Sequence, residues 1–209
     1  PQTVITDAGS TKQDVIDAAS GAFGPAWPRF VPGHPIAGTE HTGAAAAFAT
    51  LFDGRNVILT PGRATAPEAT TRIAAMWQAC GARVTTLAPD RHDAIFAAVS
   101  HLPHVLAFAL VAELAARPDA AMYFDHAASG FRDFTRIAAG SPEMWRDIAL
   151  ANRDALLAEI DCYGDALRAA RALIAEGDGE ALATLFGEAS RARRAWEASR
   201  TQPAAEDKG

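Results

Sequence analysis

Strand-like segments stop at Asp90, and that boundary limits the folds open to this chain more than any other feature. Before it, short β-type runs alternate with helical ones. Residues 3–6 read as a strand, 7–10 as a loop and 11–20 as a helix; Phe30 and Val31 lead into His34-Pro35. Residues 56–60 form an apolar run suited to a buried strand, 67–80 a helix stopped by Gly81, and 83–87 another strand. Strands alternating with helices predict a mostly parallel sheet covered by helices. After Asp90 the spacing predicts helices over 91–116, 130–139, 142–176 and 179–199. Ser141-Pro142 suits a helix start, with a capping hydroxyl and proline at the first helical position. The expected division is an α/β module over 1–90, an all-helical module over 91–200 and a polar tail over 201–209.

The α/β module lacks one expected part. Doubly wound nucleotide-binding sheets open on a strand and a G-x-G-x-x-G turn whose amides receive a pyrophosphate. That pattern does not occur; Gly177-x-Gly179 is the nearest imitation and lies between two predicted helices.

Bulk chemistry narrows the partners. With 49% hydrophobic and 21% charged residues the chain can bury a core. A formal charge of −6 argues against a nucleic-acid surface, which needs a basic stripe. The longest apolar run, 105–114, is interrupted by Glu113 and is far below the ~20 residues of a membrane span, so no membrane is expected. Cys80 and Cys162 show neither metal spacing nor a disulfide framework, and the first residues do not form a cleavable signal. A reducing, cytoplasmic setting is expected.

Three clusters carry possible chemistry. Residues 34–43, His-Pro-Ile-Ala-Gly-Thr-Glu-His-Thr-Gly, follow a short strand, where an open α/β sheet places ligands. On spacing alone this is either a polar site or a turn-rich loop. Ser100-His101-Leu102-Pro103-His104 interrupts an apolar helical stretch; Ser100 and His104 share a helix face, and Pro103 removes a backbone donor. It reads as a site or as satisfied core histidines. A zinc reading would need His101 and His104 with His34 or His92, from separate segments and without a standard motif. In Phe131-Arg132-Asp133-Phe134-Thr135-Arg136, two arginines four apart could hold a dicarboxylate or form a solvated surface pair.

In this order the clusters resemble the prephenate/arogenate dehydrogenase family. The resemblance rests on Asp7-Ala8-Gly9-Ser10-Thr11-Lys12, residues 34–43, Ser100 to His104, Phe131 to Ile137 and Met144-Trp145-Arg146-Asp147-Ile148, and runs from residue 3 to about 160. It implies a fold class of partial Rossmann-type α/β parallel sheet followed by an all-α dimerisation domain, here without the glycine-rich segment. It implies NAD(P)-dependent oxidative decarboxylation of prephenate to 4-hydroxyphenylpyruvate in tyrosine biosynthesis, with NAD or NADP as cofactor and a homodimer through the helical domain. Arogenate, which carries an amino group where prephenate has a keto group, is the alternative substrate.

The resemblance also implies residue roles. His34 would accept the proton of the ring hydroxyl as hydride leaves, and Ser10 would position that hydroxyl beside the nicotinamide. Ser10 and Pro35 would border the cofactor. Arg136 would bind a substrate carboxylate and His104 would line the pocket. Thr39 and Glu40 would shape it, with Ser100 and Arg132 in support; no metal is implied. Two rivals differ in class. A β-hydroxyacid dehydrogenase would normally carry a lysine in the helical module, where this chain has none before Lys208. A dimerisation or regulatory remnant would bind no cofactor.

Overall fold

The computed structural model describes residues 2–38 and 43–201. The chain forms two compact units, Pro1–Glu159 and Ile160–Gly209.

Among the described residues, five short strands lie in the first unit. β1 (Ile5–Thr6) pairs in parallel with β2 (Phe30–Val31), Ile5 opposite Phe30. β3 (Gly33–Pro35) runs antiparallel to β4 (Asn56–Leu59), and β4 runs parallel to β5 (Arg83–Thr86). β3 is the strand that sequence did not predict, because flanking prolines and a glycine read as breakers. It survives as an edge strand, where the missing N–H of Pro35 faces no partner. His34 sits opposite Ile58 in this pair.

The core forms because apolar side chains recur at the period of each element. Val57 and Leu59 of β4 are fully buried, and α2 (Pro67–Ala79) turns Ala69, Ile73 and Trp77 onto them at i, i+4 and i+8. Trp77 meets Phe52 edge-on, with ring centroids 5.0 Å apart. Gly81 ends α2 at φ +82°, where a Cβ would lie 2.8 Å from Asp53 Oδ1 and 3.1 Å from its Cα. Only glycine meets both demands.

α1 (Gln13–Ser20) follows the β1 loop. Beyond β5, α3 (Pro89–Phe96) passes through a π-turn at Ala97–His101 into α4 (Leu102–Ala115). By length and mean hydropathy (1.9) the helix Pro89–Ala115 could cross a membrane. Its His92, Asp93 and His101, however, are buried and hydrogen-bonded within the first unit. α5 (Ala120–Asp125) is a short helix that periodicity did not predict, and α6 (Ser129–Thr135) gives way to a 3₁₀ turn at Arg136–Ala139.

The helix expected over 142–176 is two. α7 (Pro142–Ala151) starts as predicted, with Ser141 Oγ accepting from Met144 N, and α8 (Arg153–Glu176) begins after Asn152. Asn152 leaves helical geometry (φ −107°, ψ 34°), and its buried side chain is bound to α3 and the π-turn. Those tertiary bonds outweigh the local preference to continue. α9 spans Gly179–Thr201.

Candidate active site

The site is assembled from the loop after β1, from β3 and from the π-turned helix. Asp93 organises it. Its carboxylate accepts from the backbone N–H of Lys12 at 2.9 Å and of Gln13 at 2.8 Å, capping α1 from 80 residues away. Free N–H groups at a helix start favour an anion there. Asp93 Oδ1 also lies 2.8 Å from His92 Nδ1, and His92 Nε2 lies 2.8 Å from His34 Nδ1. Burial by itself would raise the Asp93 carboxyl, but the bonds from His92, Gln13 and Lys12 outweigh it and hold the group below its ordinary value.

That order fixes the tautomers. An ionised carboxylate can only accept, so His92 Nδ1 donates to Asp93. With its one proton on Nδ1, His92 accepts at Nε2, so His34 Nδ1 donates to it. His34 Nε2 is left with a lone pair, which makes it a proton acceptor. Burial, then the neighbouring His92, Lys12 and His101, push His34 down to about 3, with Asp93 opposing. The ring is therefore neutral at physiological pH. Buried Phe96 packs against both imidazoles, with centroids 4.8 Å from His34 and 4.5 Å from His92.

The second histidine cluster joins the first through Asn152. Its Nδ2 donates to the Asp93 carbonyl at 2.8 Å and lies 3.1 Å from His101 Nδ1. A donor facing Nδ1 leaves the His101 proton on Nε2. Burial is the main cause that lowers His101 to about 4, so it too is neutral. His104 Nδ1 donates to the Ser100 carbonyl at 2.8 Å, leaving Nε2 as an acceptor. The bond spans Leu102-Pro103 at the end of the π-turn; such turns concentrate at functional sites. His104 stacks on Trp145, with centroids 3.4 Å apart and planes 20° from parallel. Burial lowers its pKa, the Ser100 bond opposes, and the charge of Arg136 lowers it further. A pocket of about 250 Å³ opens beside this pair, lined by His101, His104, Val105, Phe108, Trp145 and Ile148 among others.

The anticipated residues thus fall into three groups. His34 and Pro35 lie on β3 and Ser10 in the loop after β1, all half-buried. The Ser10 hydroxyl makes no hydrogen bond to any described residue, so it is available to a ligand. Ser100 and His104 lie at the π-turn, with Arg136 close enough to act on His104. Arg132 is exposed on α6. Arg136 follows α6 directly and opens the 3₁₀ turn Arg136–Ala139. Thr39 and Glu40 lie outside the described residues. Among the described residues no three His, Cys, Asp or Glu side chains converge on a metal-sized point.

Sequence reading missed Asp93 and Asn152 altogether, and treated His92 only as a metal candidate. Asp93 is distant in sequence from the groups it serves at Lys12 and Asn152, so spacing gives no signal. The adjacent His92-Asp93 pair just inside a helix start is the one local hint.

Known proteins resemble this chain in sequence and in fold. Residues 1–86 match the model of the prephenate dehydrogenase nucleotide-binding domain, and 88–188 that of the prephenate dehydrogenase dimerization domain. A cyclohexadienyl dehydrogenase from Zymomonas mobilis is 38% identical over 196 residues, covering 92% of this chain and 66% of that protein. A prephenate dehydrogenase from Bacillus subtilis is 38% identical over 186 residues, 88% of this chain and 50% of its own length. The chain thus spans about half to two thirds of the length of these relatives. The structure of Aquifex aeolicus prephenate dehydrogenase with hydroxyphenyl propionate and NAD+ superposes with a TM-score of 0.84 at 36% identity, over 92% of this chain and 66% of that one. Synechocystis arogenate dehydrogenase gives a TM-score of 0.80 at 30% identity, over 94% and 70%. Both domain models and these relatives agree: the chain belongs to the prephenate dehydrogenase family.

Proposed function

We propose that the protein to which this chain belongs carries out NAD(P)-dependent oxidative decarboxylation of prephenate to 4-hydroxyphenylpyruvate, with His34 as proton acceptor. The observation that carries this reading is the Asp93–His92–His34 hydrogen-bond chain, which leaves a neutral acceptor nitrogen on His34. Ser10 and Pro35 fit the nicotinamide end of the cofactor. Ser10 lies in the loop after parallel strand β1, where such sheets bind nucleotides, with its hydroxyl free to bond, and Pro35 follows His34 on β3. Bound NAD(P)+ would supply the hydride acceptor.

The chain's own groups supply the rest. As the ring carbon bearing the hydroxyl gives up hydride, its O–H proton passes to His34 Nε2 and a ring carbonyl forms. The imidazolium is stabilised through His92 by the Asp93 carboxylate. Loss of carbon dioxide returns an electron pair to the ring, which becomes aromatic; this step needs no acid from the protein. Ser10 orients the hydroxyl, and Arg136 beside His104 holds one substrate carboxylate through a charge-assisted fork. Ser100 and Arg132 support that side, and Thr39 and Glu40, five and six residues past His34 in sequence, shape the pocket.

The 38% identity to a cyclohexadienyl dehydrogenase favours arogenate as a second substrate. A homodimer through the helices fits the apolar surface left open there: Leu157, Leu167, Ile174 and Phe186 are each more than half exposed. Ile148 and Leu156 are buried within the chain itself. The two free cysteines and the polar bonds inside the helix Pro89–Ala115 support a cytoplasmic protein without a membrane span. The deciding experiment assays the full-length gene product with prephenate and arogenate, each with NAD+ and NADP+. Turnover of prephenate is expected, and absence of turnover with both substrates overturns the reading.

A further inference from the structure

Lys12 is fully buried, with its Asp7 partner 20% exposed. Such a pair is a poor device for stability alone, because desolvating a lysine costs several kcal/mol that its partner only partly returns. Burial lowers the Lys12 pKa, while Asp7, its hydrogen-bond partner, chiefly opposes the shift. Its reach explains the position better. Lys12 Nζ is bonded to Asp7 and donates to the Gly33 carbonyl at 2.7 Å. Asp7 Oδ1 accepts from the Gly33 N–H at 2.9 Å, and Oδ2 from the Gly9 N–H at 2.8 Å. Both backbone polar groups of Gly33 are therefore held by one ion pair. Gly33 immediately precedes His34, and Gly9 immediately precedes Ser10. The Lys12 backbone N–H meanwhile holds Asp93 Oδ1, at the far end of the His92–His34 chain. Space is tight as well: a Cβ on Gly33 would lie 3.2 Å from the Asp7 carbonyl and 3.2 Å from Leu59 Cδ2.

We propose that Asp7 and Lys12 are positioning residues: their buried ion pair pins the residue before Ser10 and the residue before His34 to one another. It thereby fixes the spacing between hydroxyl and imidazole, and Lys12 carries the same register to Asp93. The inference rests on the proton-acceptor reading of His34. The charged and titratable groups that act on His34 are His92 and Asp93 from α3, His101 from the π-turn, and Lys12.

The test uses the full-length gene product with Lys12→Met, Asp7→Asn and the neutral double variant. Each is followed by steady-state kinetics, thermal unfolding and NMR of ¹⁵N-labelled histidine, with His34→Asn assigning the His34 signals. Loosened registration should lower kcat by about 10- to 100-fold, as misplacement of reacting groups does, with KM changed less than about threefold. The same variants should shift the His34 ring nitrogens and move its titration upward in Lys12→Met, where a neighbouring cation is gone. If an unpaired charge prevents a single variant from folding, the double variant still reports loss of registration. Unchanged His34 resonances, with activity lost only in proportion to unfolded protein, would overturn the proposal. If the parent protein turns over neither substrate, the functional reading fails, and the His34 signals still decide the pinning.

Discussion

His34 Nδ1 lies 2.8 Å from His92 Nε2, and this one bond sets which nitrogen of His34 is left as an acceptor. The Asp93 carboxylate behind His92 gives the bond its direction. Asp93→Asn keeps the shape and removes the charge, so His92 is no longer held as a donor toward Asp93. We expect kcat to fall by about 10²-fold or more, the order seen when the orienting carboxylate of a catalytic histidine is neutralised, with KM little changed. Steady-state kinetics check this, and full kcat in Asp93→Asn would contradict it.

Acid should loosen the fold before the carboxylates titrate. His34 and His101 have folded values of about 3 and 4, below the ordinary imidazole value near 6.5. Between those limits the folded state binds fewer protons than the unfolded chain. The stability contributed by these neutral rings is complete above about pH 6.5 and is lost as pH falls through that value toward 4. Urea midpoints should therefore drop between pH 7 and pH 5, and a flat or rising midpoint over that window would contradict the burial argument. The acid limb of kcat/KM should likewise lie below 6.5.

Arg136 acts on binding in this account. Loss of a charge-assisted bond to a carboxylate costs about 1.5–3 kcal/mol, so Arg136→Gln should raise KM for prephenate by roughly 10- to 100-fold. The effect on kcat should be small, and an unchanged KM with depressed kcat would remove Arg136 from the carboxylate role.

The exposed apolar face of α8 gives a prediction about assembly. Leu167 and Ile174 are 58% and 64% exposed and lie seven residues apart, on one helix face. Leu167→Asp with Ile174→Asp should halve the mass of the full-length protein in light scattering. A dimer that survives both changes would place the interface elsewhere.

Most of the fold was legible because periodicity and punctuation agree. The apolar β4 run, the Ala69-Ile73-Trp77 face and the stop at Gly81 all emerge where local preference and burial point the same way. β3, α5 and the break at Asn152 did not, and β3 and Asn152 share a cause. At Gly33–Pro35 and at Asn152, tertiary hydrogen bonds override what neighbouring residues prefer. The site divides along the same line. His34, Ser10 and His104 sit in recognisable runs, whereas Asp93, Asn152 and the Asp7–Lys12 pair act through partners far away in sequence or through backbone groups that carry no side-chain signature.

The most direct measurement is kcat for His34→Asn in the full-length protein, with prephenate and saturating cofactor. Asparagine cannot take the hydroxyl proton, so kcat should fall by about 10²- to 10⁴-fold, the usual worth of a general base, with KM within a few-fold of the parent. Turnover near that of the parent enzyme would contradict the assignment of His34 as proton acceptor, and with it the account of the site.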